Sequence, residues 1–360
     1  MLELTNLHKF IGIFALVNSR VSSFLKTSLS IALAAVLLWY SFKGVDWQDF
    51  FTQIRHCHWG YVLLSMAAGA AAFVLRGFRW QGILKPLDPS TRLLPCVNGI
   101  NISNVANLAI PYFGELVRCG VITRHSEIDP ATGRHKASYD RVLGTAILER
   151  TWDVVSVIIL LVILLFFKWQ VFGSFMIERI YQPIEKSLHG ARGWTAAGIL
   201  LLLVAGVWMV YLLRRRSPLC RKICTSCKHF LQGFGSCLDM DHKGLFFLYT
   251  ALIWMMYWLQ MVFIKEALPA VSELGVFDCL FLMLVGSFAT CLPVPGGFGA
   301  YHTIISLALF AIYGFPQASV GIVFATLAHE SQALTMLLTG GASYLQETFG
   351  RKEKADTIRS

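Results

Sequence analysis

Val154–Phe167, preceded by Leu143–Leu148, and then Thr195–Leu213, Leu245–Ile264 and Val320–Leu338 are apolar runs that approach or exceed the roughly 18 residues needed to cross a hydrocarbon core. Backbone in lipid must satisfy its own hydrogen bonds, which for segments of this length means helices. Only 14% of the 360 residues are charged and 56% are hydrophobic, too little charge to cover a soluble domain of this size. The chain is therefore expected to be an all-α polytopic membrane protein, and a soluble two-domain fold is excluded. Ile11–Val17 is too short for a signal-peptide core, and a longer apolar run follows at Thr27–Ser41, so the first span is expected to be retained.

Full crossings are expected at 27–41, 59–76, 144–167, 196–213, 245–264 and 320–340. Two further apolar stretches do not read as simple crossings. Leu93–Arg118 carries Asn98, Asn101, Asn104 and Asn107, then meets Pro111 and Gly114, where a missing backbone donor should break the helix. Asp278–Phe315 is interrupted by Pro293-Val294-Pro295-Gly296-Gly297-Phe298-Gly299, which forbids one continuous helix. Both are read as re-entrant helical hairpins.

With the hairpins so placed, the Lys and Arg residues fall into two camps. The N-terminus, 76–92, 118–141, 214–243 and the C-terminus hold 23, whereas 42–58, 168–195 and 265–274 hold seven. The positive-inside rule then puts both termini in the cytoplasm of a cell-membrane protein. The net charge of +10 is thus a topological signal, and no nucleic-acid partner is implied. The resulting order is two crossings, a hairpin and a crossing, repeated with opposite orientation. That is an inverted repeat, a common construction of secondary transporters. The expected organisation is a cytoplasmic segment 1–26, a membrane domain 27–340 with half-repeats 27–167 and 196–340, and a cytoplasmic tail 341–360.

Irregular backbone at membrane depth needs a packed or watered interior, so both hairpin tips point to shared polar space. Glu115 and Arg118, three apart on one helical face, can pair, either to hold an anionic headgroup or only to stabilise the hairpin. Glu149 and Asp153 share a face and Arg150 can reach Asp153, as a site or as interfacial anchors. Arg76 and Arg79 before Trp80 read as snorkelling residues or as headgroup contacts. His302 follows the second tip and His329-Glu330 lies within the last crossing, as proton carriers or hydrogen-bonded core groups. In the Asn series, helix–helix hydrogen bonding is the usual role, and only Asn107, nearest the break, is taken as a site candidate.

Cys220, Cys224 and Cys227 form C-x3-C-x2-C in a basic segment, Arg214–Lys228, suited to anionic headgroups. Too few residues surround it for a cluster-binding domain, so reduced thiols are expected and neither a metal nor a cofactor is assigned. No phosphate-binding loop of the GxxxxGK[ST] type and no nucleophile–base pair occurs, which argues against ATP-driven transport by this chain alone and against an enzyme.

Taken in order, Arg76-Gly77-Phe78-Arg79-Trp80, Asn107 to Pro111 with Gly114-Glu115 and Arg118, Glu149-Arg150 with Asp153, and Pro295-Gly296-Gly297 with Gly299 resemble the transmembrane, flippase-like domain of the lysylphosphatidylglycerol synthase family. The resemblance runs from about residue 25 to 345. It implies a lipid-translocating membrane domain, and, with only Arg351–Ser360 beyond the last span, a stand-alone member without the aminoacyl-transferase domain. Two departures stand out: Tyr112-Phe113 where the family often has a basic residue, and His302 where it often has an acid. The function expected is a flippase or transporter of an anionic phospholipid or polyprenyl-phosphate-linked substrate. Arg79, Arg118 and Arg150 would hold the headgroup, Glu115, Glu149 and Asp153 would orient them, and Asn107 and His302 would contribute. Pro111, Gly114, Pro293, Pro295, Gly296, Gly297 and Gly299 would shape the tips. The rival readings are a non-transporting scaffold for a membrane glycosyl- or acyl-transferase partner and an intramembrane enzyme using the His302 or His329-Glu330 group.

Overall fold

The computed structural model describes residues 28–131, 133–169, 208, 209, 212, 243–289 and 292–359, with the side chains of 350–359 excepted. The N-terminal segment 1–26, nearly all of the crossing expected at 196–213, and the segment with Cys220, Cys224 and Cys227 lie outside the described residues.

The described chain is helical, with no strand: α1 Ser28–Phe42, α2 Trp47–Arg55, α3 Trp59–Leu84, α4 Leu93–Ala109, α5 Phe113–His125, α6 Tyr139–Phe167, α7 Lys243–Ala267, α8 Val276–Ala289, α9 Ala300–Tyr313 and α10 Ile322–Arg359, the last entered through a π-turn at Gln317–Gly321. Five segments are long and apolar enough to cross a membrane: α3, α6, α7, Pro295–Tyr313 and Gln317–Phe349. The pair α1 and α2, bent by 87°, brings the number to six. The chain is a polytopic all-α membrane protein.

Burial runs in the sense lipid imposes. On α6, Val154, Ile158, Val162 and Phe166, four apart, are exposed as one apolar stripe, while Glu149 and Ser156 face inward. α3 extends to Leu84 and α6 begins at Tyr139, each beyond the crossing expected from hydropathy. Glu149 therefore lies ten residues, about 15 Å, inside α6. The longer α3 likewise carries Arg76 and Arg79 within the helix, so they do not sit at its end.

Both proline-glycine stretches turn the chain back on itself. α4 stops at Ala109, before Pro111, and α5 starts from Tyr112, a non-glycine residue held in the left-handed region at φ 62°. The arms pack antiparallel, Gly99 beside Arg118 and Ser103 beside Gly114. The second stretch separates α8 from α9, with Gly286 of α8 set against the Tyr301 ring of α9. Its last residue, Gly299, has φ +78°, and a Cβ there would lie 2.5 Å from the Leu38 backbone nitrogen. Only glycine lets this tip seat on α1, where the Ser41 hydroxyl donates to Leu37 O and also lies within hydrogen-bond distance of Gly299 O and of the Thr303 hydroxyl.

Several helix contacts recur in the two halves of the chain. α3 packs on α7; α4 packs on α3 and α10, as α8 packs on α7 and α6; α5 packs on α6, as α9 packs on α10. Asn98 and Asn101 of α4 donate to Glu347 and Ser343 of α10 at 2.9 and 3.0 Å, the helix–helix role expected for such amides. Two apolar cores flank this seam, one among α3 to α7, the other among α7 to α10 together with Phe50 of α2, Val62 of α3 and Leu164 of α6.

Candidate functional site

Charge in lipid is costly unless paired, and this interior holds seven charged side chains in one network. Glu149, with no exposed surface, is its centre. Arg76 of α3 donates to Glu149 Oε1 through Nε and Nη2 at 3.2 and 3.1 Å, and Arg79 Nη2 donates to the same oxygen at 2.8 Å. Arg118 of α5 donates to the other carboxylate oxygen, Oε2.

The network extends from there in two directions. Arg79 also donates to Asp153 Oδ1 at 2.8 Å and to the Thr250 hydroxyl of α7 at 3.3 Å. Arg118 pairs with Glu115 as the three-residue spacing predicts, and Glu115 in turn accepts from Arg150. Arg150 reaches Asp153 at 3.5 Å. Two aromatic faces complete the shell: Arg118 lies 4.6 Å from the Trp80 ring centre and Arg79 lies 5.9 Å from that of Phe246. Trp80 is fixed by its own hydrogen bond to Thr145 at 3.0 Å.

Four arginines face three carboxylates, which leaves one positive charge in excess within the network. The arginines are not equivalent. Arg79 and Arg118 are wholly enclosed, whereas the Arg150 side chain keeps 46% of its surface exposed. Snorkelling is thereby ruled out for Arg79, whose guanidinium is turned inward to Glu149.

Beside the network lies a cavity of about 390 Å³, walled by both halves of the fold: Phe73 and Arg76 of α3, Asn104 of α4, Arg150, Asp153, Val154 and Val157 of α6, Trp254, Tyr257 and Gln260 of α7, Ser287 of α8, Tyr301 of α9, and Gln332 and Met336 of α10. Its wall is charged on the α3–α6 side and mostly apolar elsewhere. Arg76 spends Nε and Nη2 on Glu149, and the Asn104 Nδ2 is buried without a hydrogen-bond partner among the described residues. A second cavity, about 460 Å³, is lined by Arg79 with Phe78, Lys85 and Pro89 and the start of α7 at Leu245–Tyr249. The paired Arg79 and Asp153 thus line one hollow each.

Of the residues proposed from sequence, Arg79, Glu115, Arg118, Glu149, Arg150 and Asp153 converge in this network. Asn107 does not line the cavity: its Oδ1 accepts from the Gly114 backbone N–H at 2.7 Å, which ties the first tip together. Asn104, one turn earlier, is the amide that lines the cavity. His302 lies apart from the arginines, at the second tip against α10. Sequence reasoning weighed Arg76 only beside Arg79 and gave Asn104 a helix–helix role, and it left out Tyr257 and Gln260, which carry no local signal of their own.

Comparison with curated proteins and with solved structures finds no match for this chain. The family model described as the lysylphosphatidylglycerol synthase TM region, however, matches residues 27–340, a span that holds both hairpins and every member of the arginine–carboxylate network, and the chain belongs to that family.

Proposed function

We propose that this protein translocates an anionic lipid, taking a phosphate-bearing headgroup into the 390 Å³ cavity while the acyl or polyprenyl chains stay in the bilayer. One observation carries the reading: Arg150, the exposed member of a network with one positive charge in excess, lines a cavity at membrane depth beside Arg76 and Asp153. A phosphate oxyanion would meet the guanidinium as a charge-assisted hydrogen-bond acceptor and balance the network. Arg118, Arg79, Glu149, Glu115 and Asp153 hold Arg150 and Arg76 in place, Arg79 lines the second hollow, and His302 acts at the second tip.

The pairing of equivalent helices supports an inverted repeat with half-repeats 27–167 and 196–340, whose two packings would open the cavity to opposite faces. In this reading the hairpins are re-entrant, both termini are cytoplasmic in the cell membrane, and 1–26 and 341–360 lie outside the translocating domain. The chain acts as a transporter without chemistry of its own on the lipid.

The cavity wall offers the test. Full-length protein with Tyr257→p-benzoylphenylalanine, in vesicles of equal phosphatidylglycerol and phosphatidylcholine, should on illumination capture the anionic lipid several-fold over the zwitterionic one. The preference should vanish with Arg150→Ala. Capture in the ratio of the mixture, unaffected by Arg150, would overturn the proposal.

A further inference from the structure

The second tip holds a group of side chains outside the arginine network. His302 of α9, and His329 and Glu330 of α10, bring three ligand-type atoms within 4.8 Å of one another. His302 Nε2 lies 3.5 Å and His329 Nδ1 lies 3.2 Å from the same oxygen, Glu330 Oε1.

The tautomer of His329 is set by its surroundings. Its Nε2 is 2.9 Å from the Gly296 carbonyl oxygen, which can only accept, so Nε2 carries the proton. In the neutral ring Nδ1 is then a lone pair, and it faces a carboxylate oxygen that is also a lone-pair donor. Two acceptors at 3.2 Å repel unless a positive species lies between them. His302 directs a third ligand-type atom, Nε2, at the same carboxylate oxygen. It is 1% exposed, its Nδ1 has no partner, and its one polar contact among the described residues is Glu330.

We propose that His302, His329 and Glu330 form a zinc site that pins the tip of the second hairpin to α10. Two imidazoles and one carboxylate suit zinc, with ligand bonds of about 2.0–2.2 Å and a fourth position left for water or substrate. The separations of 3.2 and 3.5 Å are those between ligands sharing such an ion. The support around it is that of a metal ligand: His329 donates its second ring N–H to a backbone carbonyl, and the Phe298 ring, 4.8 Å away and edge-on, fixes its plane. Glu330, with 45% of its side chain exposed, gives the ion a route in. The bound ion would join His302 of α9 to α10, where His329 already holds the Gly296 carbonyl, and so set how far this tip can move.

The test is direct metal binding by full-length protein in detergent, stripped with chelator and titrated with Zn²⁺ against a chromogenic competitor. Cys220, Cys224, Cys227 and Cys237 are replaced by Ser throughout, so that this thiol cluster does not compete for the ion. One equivalent of zinc should bind, with X-ray absorption showing only nitrogen and oxygen neighbours near 2.0–2.2 Å and no sulfur near 2.3 Å. Glu330→Gln, which keeps the shape of a half-exposed side chain, should weaken binding by at least about 100-fold. His302→Asn should do the same, with helical content unchanged by circular dichroism. No retained zinc would overturn the proposal and leave a proton between His329 and Glu330. Equally tight binding in both variants would also overturn it. Because none of these residues belongs to the arginine network, failure here leaves the lipid reading untouched, and the converse holds.

Discussion

Arg79 and Glu149, seventy residues apart in the chain, meet at 2.8 Å with neither side chain exposed. The contact joins α3 to α6 at a depth where an unpaired charge is strongly unfavourable, so the two helices are bound to one relative register.

Among the described residues Glu149 is the one carboxylate paired with Arg76, and it is one of two paired with Arg79 and one of two paired with Arg118. Glu149→Gln leaves these arginines under-compensated in a closed space and should cost about 3–5 kcal/mol. A large fall in the melting temperature of purified protein is expected, and Arg76→Met in the same chain should recover part of it. A melting temperature unmoved by Glu149→Gln would show that the network does not hold the fold.

The first hairpin depends on the absence of a side chain at Gly114. A Cβ there would lie 2.1 Å from the Ser103 carbonyl oxygen and 2.7 Å from Asn107 Oδ1, both part of the tip. Gly120, two turns along the same helix, has open space around it. Gly114→Ala should therefore destabilise by more than the ~1–3 kcal/mol of ordinary overpacking, while Gly120→Ala should be neutral or slightly stabilising. Thermal unfolding of the two variants side by side checks this.

Asp88, in the loop between α3 and α4, gives a pH dependence with a definite sign. Burial raises its pKa, but hydrogen bonds from the Ser126 and Ser90 hydroxyls and from the Glu127 and Ser90 backbone N–H groups outweigh this and hold the carboxyl below its ordinary value. A depressed carboxylate stabilises the folded loop above its unfolded pKa of about 3.9, and that contribution is lost as pH falls through the lower folded value. Asp88→Asn should speed hydrogen exchange at Glu127 near neutral pH. It should also flatten the loss of loop protection that wild type shows below about pH 4. Identical exchange profiles would contradict the assignment.

The helices and the two breaks were legible because hydropathy and proline act locally. α4 ends just before Pro111, and α8 is separated from α9 by the Pro293–Gly299 stretch. The contacts Glu115–Arg118 and Arg150–Asp153 were legible for the same reason, since three residues make most of a helical turn. What could not be read was any contact set by the relative placement of helices. Nothing in the sequence says that Glu149 serves Arg76, Arg79 and Arg118 together. Asn107 was favoured over Asn104 by nearness to the break, but helical phase turns Asn107 to the tip and Asn104 to the cavity. The meeting of His302 with Glu330 depends on how α9 folds back on α10, and no local spacing records it.

Arg118 and Arg150 differ in one respect that decides what each variant can tell. Arg118 is enclosed among Trp80, Glu115 and Glu149, so Arg118→Ala is expected to lower stability first and activity with it. Arg150, half-exposed, can be removed from folded protein. The decisive measurement is therefore the movement of labelled anionic lipid across liposomes containing purified wild type, Arg150→Lys or Arg150→Ala. The account predicts movement of anionic but not zwitterionic lipid by wild type, partial retention in Arg150→Lys, and a loss of at least about 10-fold in Arg150→Ala, the effect of a phosphate contact worth about 1.4 kcal/mol or more. Absence of movement for every anionic lipid tried, or full activity in Arg150→Ala, would contradict it.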